Sequence, residues 1–288
     1  ELIGVFRIIS GIGFAFSGTC QIALASKYIP KNKMGEGIGY LGLGMVIGSA
    51  VAPGIGVTIS ENFGMRMTFL MSAVLTVAAL VILCLFHEEK KENKEKKKIV
   101  FSDILAVEAL PYTIVAGSYS FINGIIASYL VMYADELGIS GVSVYFTVCA
   151  AVLFIVRPFS GKLMDKKGIR VTVLPGLALT ASSMFILGRS TSLILILITG
   201  VLRSVGQGAA QPSLQAGCIN KVGTGRSGVA TSTYYLGGDI FQGIGPMIGG
   251  AVIGAVAGIA GYRTLFDLSG VLMLCALVFF ILVTGKEK

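Results

Sequence analysis

Tryptophan is absent, histidine occurs once, and charged side chains make up only 13% of the 288 residues. Each shortage narrows what the chain can be. Soluble domains carry roughly 25% charged residues, and with 54% of this chain hydrophobic a polytopic membrane protein is expected instead. The lone His87 borders a charged run, where a solvated side chain is the expected state, so no metal site is visible. Five cysteines (Cys20, Cys84, Cys149, Cys218, Cys275) lie inside or at the ends of apolar runs without paired spacing, which suits packing rather than disulfides. Without tryptophan, an aromatic belt must rest on tyrosine. Tyr28, Tyr112, Tyr133 and Tyr262 fall near expected helix ends, as that role requires.

No nucleophile and base pair, paired carboxylates or phosphate-binding loop is present, so no catalytic residue and no enzyme is expected. The glycine clusters near Gly206 and Gly243 follow no strand, which removes a dinucleotide reading. No secretory signal pattern precedes the first apolar run.

What is present is a series of apolar runs, each near the ~20 residues that cross a bilayer. They predict an all-α fold of nine helices at about 2–26, 36–59, 66–86, 109–134, 142–163, 171–189, 192–219, 227–257 and 262–285. Glycine, 39 of 288, suits helices packed closely in lipid through small-residue contacts. Net charge +8 would suggest nucleic acid in a soluble protein, but most cations here sit in short loops, and no nucleic-acid partner is expected. One set of alternate loops carries Lys27, Lys31, Lys33, the lysines of 90–98, Lys162, Lys166, Lys167, Arg170, Lys221, Arg226, Lys286 and Lys288. The other carries Arg66, Arg189 and Arg263. The charge bias makes the first side cytoplasmic, with the linker and the C-terminus.

Arg157 to Arg170, R-P-F-S-G-K-L-M-D-K-K-G-I-R, reads as a short charged turn between two apolar runs. Gly161 and Gly168 permit close helix approach and a tight reversal, and Asp165 sits among Lys162, Lys166, Lys167 and Arg170. This pattern, G-x-L-x-D-x-x-G-x-R, resembles the cytoplasmic-loop motif of the major facilitator superfamily of secondary transporters. In the second run, Gly39, Gly48, Ala52-Pro53 and Gly56 resemble the fifth-helix motif of its proton-coupled antiporters. The motif has glycine where this chain has Ala52 and Val57. Close packing at a proline bend is the other reading of the same residues. Arg7, in R-x-x-x-G-x-G-x-A, resembles the fourth-helix arginine of those antiporters, linked there to proton coupling; interhelical pairing is its alternative.

The resemblance implies the major facilitator fold, two six-helix bundles in a twelve-helix parent. Arg7 followed by Pro53, and Arg203 followed by Pro246 within Gly245-Pro246, form a weak internal repeat. Residues 1–86 would then be parent helices four to six, 87–106 a charged cytoplasmic linker, and 107–288 the C-terminal bundle. On this reading the chain is an internal piece lacking the first three helices, and is not expected to transport by itself.

Polar stripes mark candidate cavity walls. Arg203, Gln207, Gln211 and Gln215 recur every four residues along about 18 Å of one helix. Tyr112, Tyr119 and Asn123 share a face of another. Ser232, Tyr235, Asp239 and Gln242 share a third, where Asp239 is expected to be buried. It would be a protonation site, a contact for cationic substrates, or a structural partner of Arg203, Arg226 or a tyrosine. Asp165, in the resembled family, meets a helix N-terminus or an arginine across the bundle interface. By pseudo-symmetry its target would be the start of the second helix near Gly35, although Glu36 opposes it; a local clamp with Arg157 and Arg170 is the alternative.

The leading expectation is therefore a monomeric multi-pass transporter of the bacterial inner membrane, exporting amphipathic small molecules or drugs against protons. The proton gradient, not a cofactor, would supply the energy. A symporter or facilitator importing a nutrient is the alternative within the same fold, and a membrane sensor or assembly partner without transport is a third reading.

Overall fold

A computed structural model describes residues 2–85, 105–256 and 258–285, together with most of their side chains. Among them lie nine helices and no strand: α1 Leu2–Tyr28, α2 Met34–Phe63, α3 Met65–Leu85, α4 Leu110–Glu136, α5 Val144–Lys167, α6 Arg170–Leu187, α7 Leu193–Val222, α8 Ser227–Ala255 and α9 Ile259–Gly285. Seven are long and apolar enough to cross a membrane. The other two, α2 and α8, are the glycine-rich pair, each entered from a short 3-10 turn, Lys31–Lys33 and Thr224–Arg226. The charged linker lies outside the described residues except for Leu105 and Ala106. The Ala106 amide donates to Thr233 Oγ1 at 2.9 Å.

The helix ends sort into two levels. Lys27, Lys31, Lys33, Lys162, Lys166, Lys167, Arg170, Lys221 and Arg226 gather at one, the basic end. At the far end Arg189 pairs with Asp267 at 2.6 Å.

Most of the buried core lies in α4–α9, with Ile22 of α1 and Met34 and Ile38 of α2 joining it. Backbones approach where glycine leaves room. A methyl group on Gly176 would stand 2.7 Å from the Gly206 carbonyl oxygen, which brings α6 onto α7. One on Gly245 would stand 2.6 Å from the Phe121 carbonyl, which brings α8 onto α4, where Tyr129 OH also donates to the Pro246 carbonyl at 2.6 Å. Small-residue contacts of this kind are how helices associate in lipid.

Two expectations need correction. The stretch from Arg157 is helical through Lys167, so it is the last turns of α5 and not a loop. The reversal is confined to Gly168 and Ile169, and Gly168 supplies it at φ 85°, a conformation that costs glycine nothing. The tyrosine belt also fails. Tyr28 is exposed, but Tyr112, Tyr133 and Tyr262 are buried. Tyr133 is 0% exposed, packs edge-on to Phe266, and directs its hydroxyl at the carbonyls of Leu187, Gly188 and Ser190, each at 3.3 Å. Its single O–H is shared among carbonyls at the end of α6, of which that of Leu187 also accepts the Ser190 amide at 3.0 Å. Tyr133→Phe is expected to destabilise the protein by about 1–2 kcal/mol, the cost of leaving such acceptors unmet. A thermal melt in detergent that matches the unsubstituted protein would refute this.

Candidate functional site

Two clusters deserve separate construction: a lock at the basic end and a polar wall deeper in the bundle. At the lock, α5 runs against α2. Gly161 lies so close to Gly35 that a methyl group there would stand 2.8 Å from Glu36 Cα, and one on Gly39 would stand 2.9 Å from the Arg157 carbonyl oxygen. That proximity places Asp165 over the start of α2. Its two carboxylate oxygens accept from the Gly35 and Glu36 amides, both at 2.8 Å. These N–H groups have no partner within the helix, and the helix dipole adds to their attraction for an anion. Glu36, the expected opponent, is turned aside onto Lys162 at 3.3 Å.

Arg157 enters deeper and donates through Nη1 to the Gly42 carbonyl at 2.5 Å. Arg170 points elsewhere, to Thr284 at the last turn of α9. Arg157, Asp165 and Arg170 therefore serve three separate targets, and the local clamp is excluded. A second crossing joins α1 to α8, where Ser227 Oγ donates to the Ala23 carbonyl at 3.4 Å.

The wall is centred on Arg203 of α7. Its Nε donates to Tyr145 OH at 3.0 Å, and its Nη1 to Asn123 Oδ1 at 2.6 Å and Gln207 Oε1 at 3.3 Å. Gln207 passes the chain on to Gln211 Oε1 at 3.1 Å, and Gln215 reaches Tyr235 OH at 3.4 Å. The four-residue stripe thus joins α4, α5, α7 and α8 in one polar system.

Several expected residues stand elsewhere. Tyr119 is 1% exposed and packs against Gly176 of α6, so although it shares a helix face with Asn123, one turn on, its side chain is enclosed where that of Asn123 is half-buried. Asp239 is exposed, as is Gln242 on the same face of α8. The apolar burial expected for Asp239 is not found, and neither Arg203 nor Arg226 is its partner: Arg226 pairs with Glu108 at 3.4 Å. Periodicity had placed Asp239 on a polar face correctly but could not say what covers that face. In the second-helix motif, Gly48 has no described atom of another element within 4 Å and Gly56 has Thr68 at 3.9 Å, so among the described residues the glycines do not form one packed stripe. Arg7 and Pro53 lie within α1 and α2, and their side chains fall outside the described residues.

Sequence reading missed Gly42 and Tyr145. Gly42 continues the run Gly35, Gly37, Gly39, and Tyr145 is four residues from Cys149, the other α5 neighbour of Arg203. Both were legible as helix-face patterns, but nothing in the sequence named the partner helix.

A family model described as Major Facilitator Superfamily matches residues 2–246. The chain is similar to an uncharacterised transporter of that type from Methanocaldococcus jannaschii, 24% identical over 93% of this chain and 71% of the relative. It is similar to the multi-drug resistance efflux pump PmrA of Streptococcus pneumoniae, 26% identical over 90% of this chain and 67% of the pump. The multidrug resistance protein MdtG of Yersinia enterocolitica is 26% identical, with 88% and 63% covered. Among solved structures, the human organic anion transporter TETRAN superposes with a TM-score of 0.74 at 15% identity, covering 91% of this chain and 67% of that one. At that identity the likeness is one of fold.

Proposed function

The chain belongs to the major facilitator superfamily, and from that premise we propose that it works in proton-coupled export of small amphipathic molecules or drugs by alternating access. One observation carries the reading. The hydrogen bonds and close glycine contacts that join α1 and α2 to α5 and α8 lie in the halves nearest the basic end, from Ala23 to Gly42. Among the described residues no hydrogen bond of this kind joins the same helices to α5 or α8 farther along, where Phe14 is 75% exposed although Val46 is buried. A lock at one end, beside a polar wall reached from the other, is the asymmetry that alternating access requires. The names of PmrA and MdtG support drug export as the task.

On this reading the basic end faces the cytoplasm of a bacterial inner membrane, by its excess of lysine and arginine. The protein acts as a monomer between lipid, protons and its cargo. Asn123, Arg203, Gln207, Gln211, Tyr235 and Gln242 meet cargo, and Tyr119 supports them. Arg7 and Asp239 carry the proton: an exposed carboxylate on a cavity wall can exchange protons with the water that fills it. Gly39, Arg157, Gly161, Asp165 and Gly168 form the gate, and Gly48, Pro53, Gly56, Gly245 and Pro246 shape the helices around it.

The test is proton flux in proteoliposomes of the full-length protein, with cationic and neutral dyes on one side. Proton movement opposite to dye is expected, together with loss of the coupled component in Asp239→Asn. Movement in the same direction would replace export by symport. Dye flux without proton movement would leave a facilitator and reduce Arg7 and Asp239 to structural residues.

A further inference from the structure

Arg203 is 7% exposed and lies about 15 Å along α7 from its far end, inside the apolar layer. The groups it bonds among the described residues are neutral. Tyr145 OH, Asn123 Oδ1 and Gln207 Oε1 take three bonds, and Nη2 has only the Cys149 sulfur at 3.9 Å. A guanidinium offers five N–H donors, so these oxygens do not exhaust it. The ion pairs between described residues are Lys162–Glu36, Arg189–Asp267 and Arg226–Glu108; Arg203 is in none of them. Asp239, the acidic side chain on the facing wall, is exposed on α8 and forms no ion pair with it.

A buried cation solvated only by amides and a phenol is incompletely compensated. The amides also provide the approach. Asn123 and Gln211 are half-buried while Gln207 and Arg203 are nearly enclosed, so amides lead to the charge both from Asn123 on α4 and along the hydrogen-bonded chain Gln211–Gln207–Arg203 on α7. Beside it stands an aromatic edge: Phe146, partly exposed, packs at right angles to Tyr145, whose ring lies 5.8 Å from the guanidinium carbon. A charge that lacks a counter-ion, a polar approach and an aromatic flank together describe a receptor for an apolar body with one negative group.

We propose that Arg203 anchors a binding site for amphipathic monoanions, aryl carboxylates or sulfonates, whose acid group completes the guanidinium while the ring packs toward Tyr145 and Phe146. This deepens the transport reading and rests on it, and it makes anions, rather than cations, the preferred cargo at this depth. Arginine is suited to the task because its planar fork can take both oxygens of a carboxylate.

The experiment is equilibrium binding to the full-length protein in phosphatidylcholine nanodiscs, without any gradient, using the fluorescent aryl carboxylate naproxen and its neutral primary amide. Naproxen is expected to bind about tenfold tighter than the amide, the ordinary margin of a charge-assisted over a neutral contact. Arg203→Gln removes the anchor. Asn123→Asp keeps Arg203 but supplies a carboxylate of nearly the same shape beside it. Both are expected to bring the two ligands within about twofold of each other, with an unchanged far-ultraviolet circular dichroism spectrum and thermal melt as the sign that the fold is intact. Equal binding of acid and amide by the unsubstituted protein, or a preference that survives both substitutions, would overturn the proposal. Dye-linked proton flux without naproxen preference would sink this site and leave transport standing. Naproxen preference without any flux would do the reverse.

Discussion

Asp165→Ala opens the basic end, raising the population of the unlocked state by about tenfold to thirtyfold. The carboxylate holds two amides at 2.8 Å at the first turn of α2. Bonds to a charged group contribute about 1.5–3 kcal/mol each, and an anion at a helix N-terminus about 0.3–1 kcal/mol. Asp165 is half-buried, so water replaces much of this when the helices part. A net loss of about 1.5–2 kcal/mol remains, which sets the expected shift. Asp165→Asn keeps one good acceptor without the charge and should shift the population by only about fivefold. The absence of tryptophan provides the reporter. Tyr40 lies beside Lys162 at the α2–α5 junction, and Tyr40→Trp places there the one tryptophan of these 288 residues, read as the difference from the unsubstituted protein. Its emission should move to the red and its quenching by acrylamide should rise in Asp165→Ala. Unchanged spectra in that variant would show that the carboxylate holds nothing shut.

Gly161→Ala is expected to have the larger effect, although it adds one carbon and removes no charge. The new methyl group would meet the Gly35 carbonyl carbon at 2.7 Å and Glu36 Cα at 2.8 Å. These are backbone atoms, which cannot rotate aside as a side chain can, so α2 and α5 must separate. Overpacking of this kind costs about 1–3 kcal/mol. The separation also stretches the Asp165 bonds, so the two losses combine to an expected shift of about a hundredfold. Gly48→Ala is the control, since no described atom of another element lies within 4 Å of that position. It should leave the Tyr40→Trp spectrum unchanged and even favour the helix by up to about 1 kcal/mol. If Gly48→Ala opened the lock as far as Gly161→Ala, the effect would be one of helix propensity and not of contact.

The contrast between these two glycines shows how far sequence reached. The apolar runs located the helices to within a few residues, because length and composition alone decide what can sit in lipid. The target of Asp165 near Gly35 was suggested by the resembled family and its pseudo-symmetry, with a local clamp as the alternative; the attraction of a helix N-terminus for an anion supplies its physical reason. What a face touches was not legible. Gly48 and Gly161 look alike in sequence, yet among the described residues one borders open space and the other a backbone. Asp239 and Tyr119 each lie on a polar face by spacing, but one is exposed and the other is enclosed against Gly176 of α6. Tyr133 stands near a helix end, as an interfacial tyrosine would, and is instead spent on the carbonyls that follow α6. In each case the missing information is the identity of the neighbouring helix, which the periodicity of one helix does not contain.

The lock also has a mechanical consequence. α2 has 30 residues, about 45 Å of helix, and its described contacts to α5 occupy only about the first 12 Å, from Met34 to Gly42. Beyond Gly42 the helix is not bare: Val46 is buried, and Thr68 Oγ1 of α3 donates to the Gly56 carbonyl at 3.5 Å, so α3 travels with it. A tilt of about 10° about the held segment moves its ends by about 1 Å and the Phe63 end by about 5 Å. Small adjustments around one carboxylate thus translate into a wide stroke of the α2–α3 pair at the opposite rim.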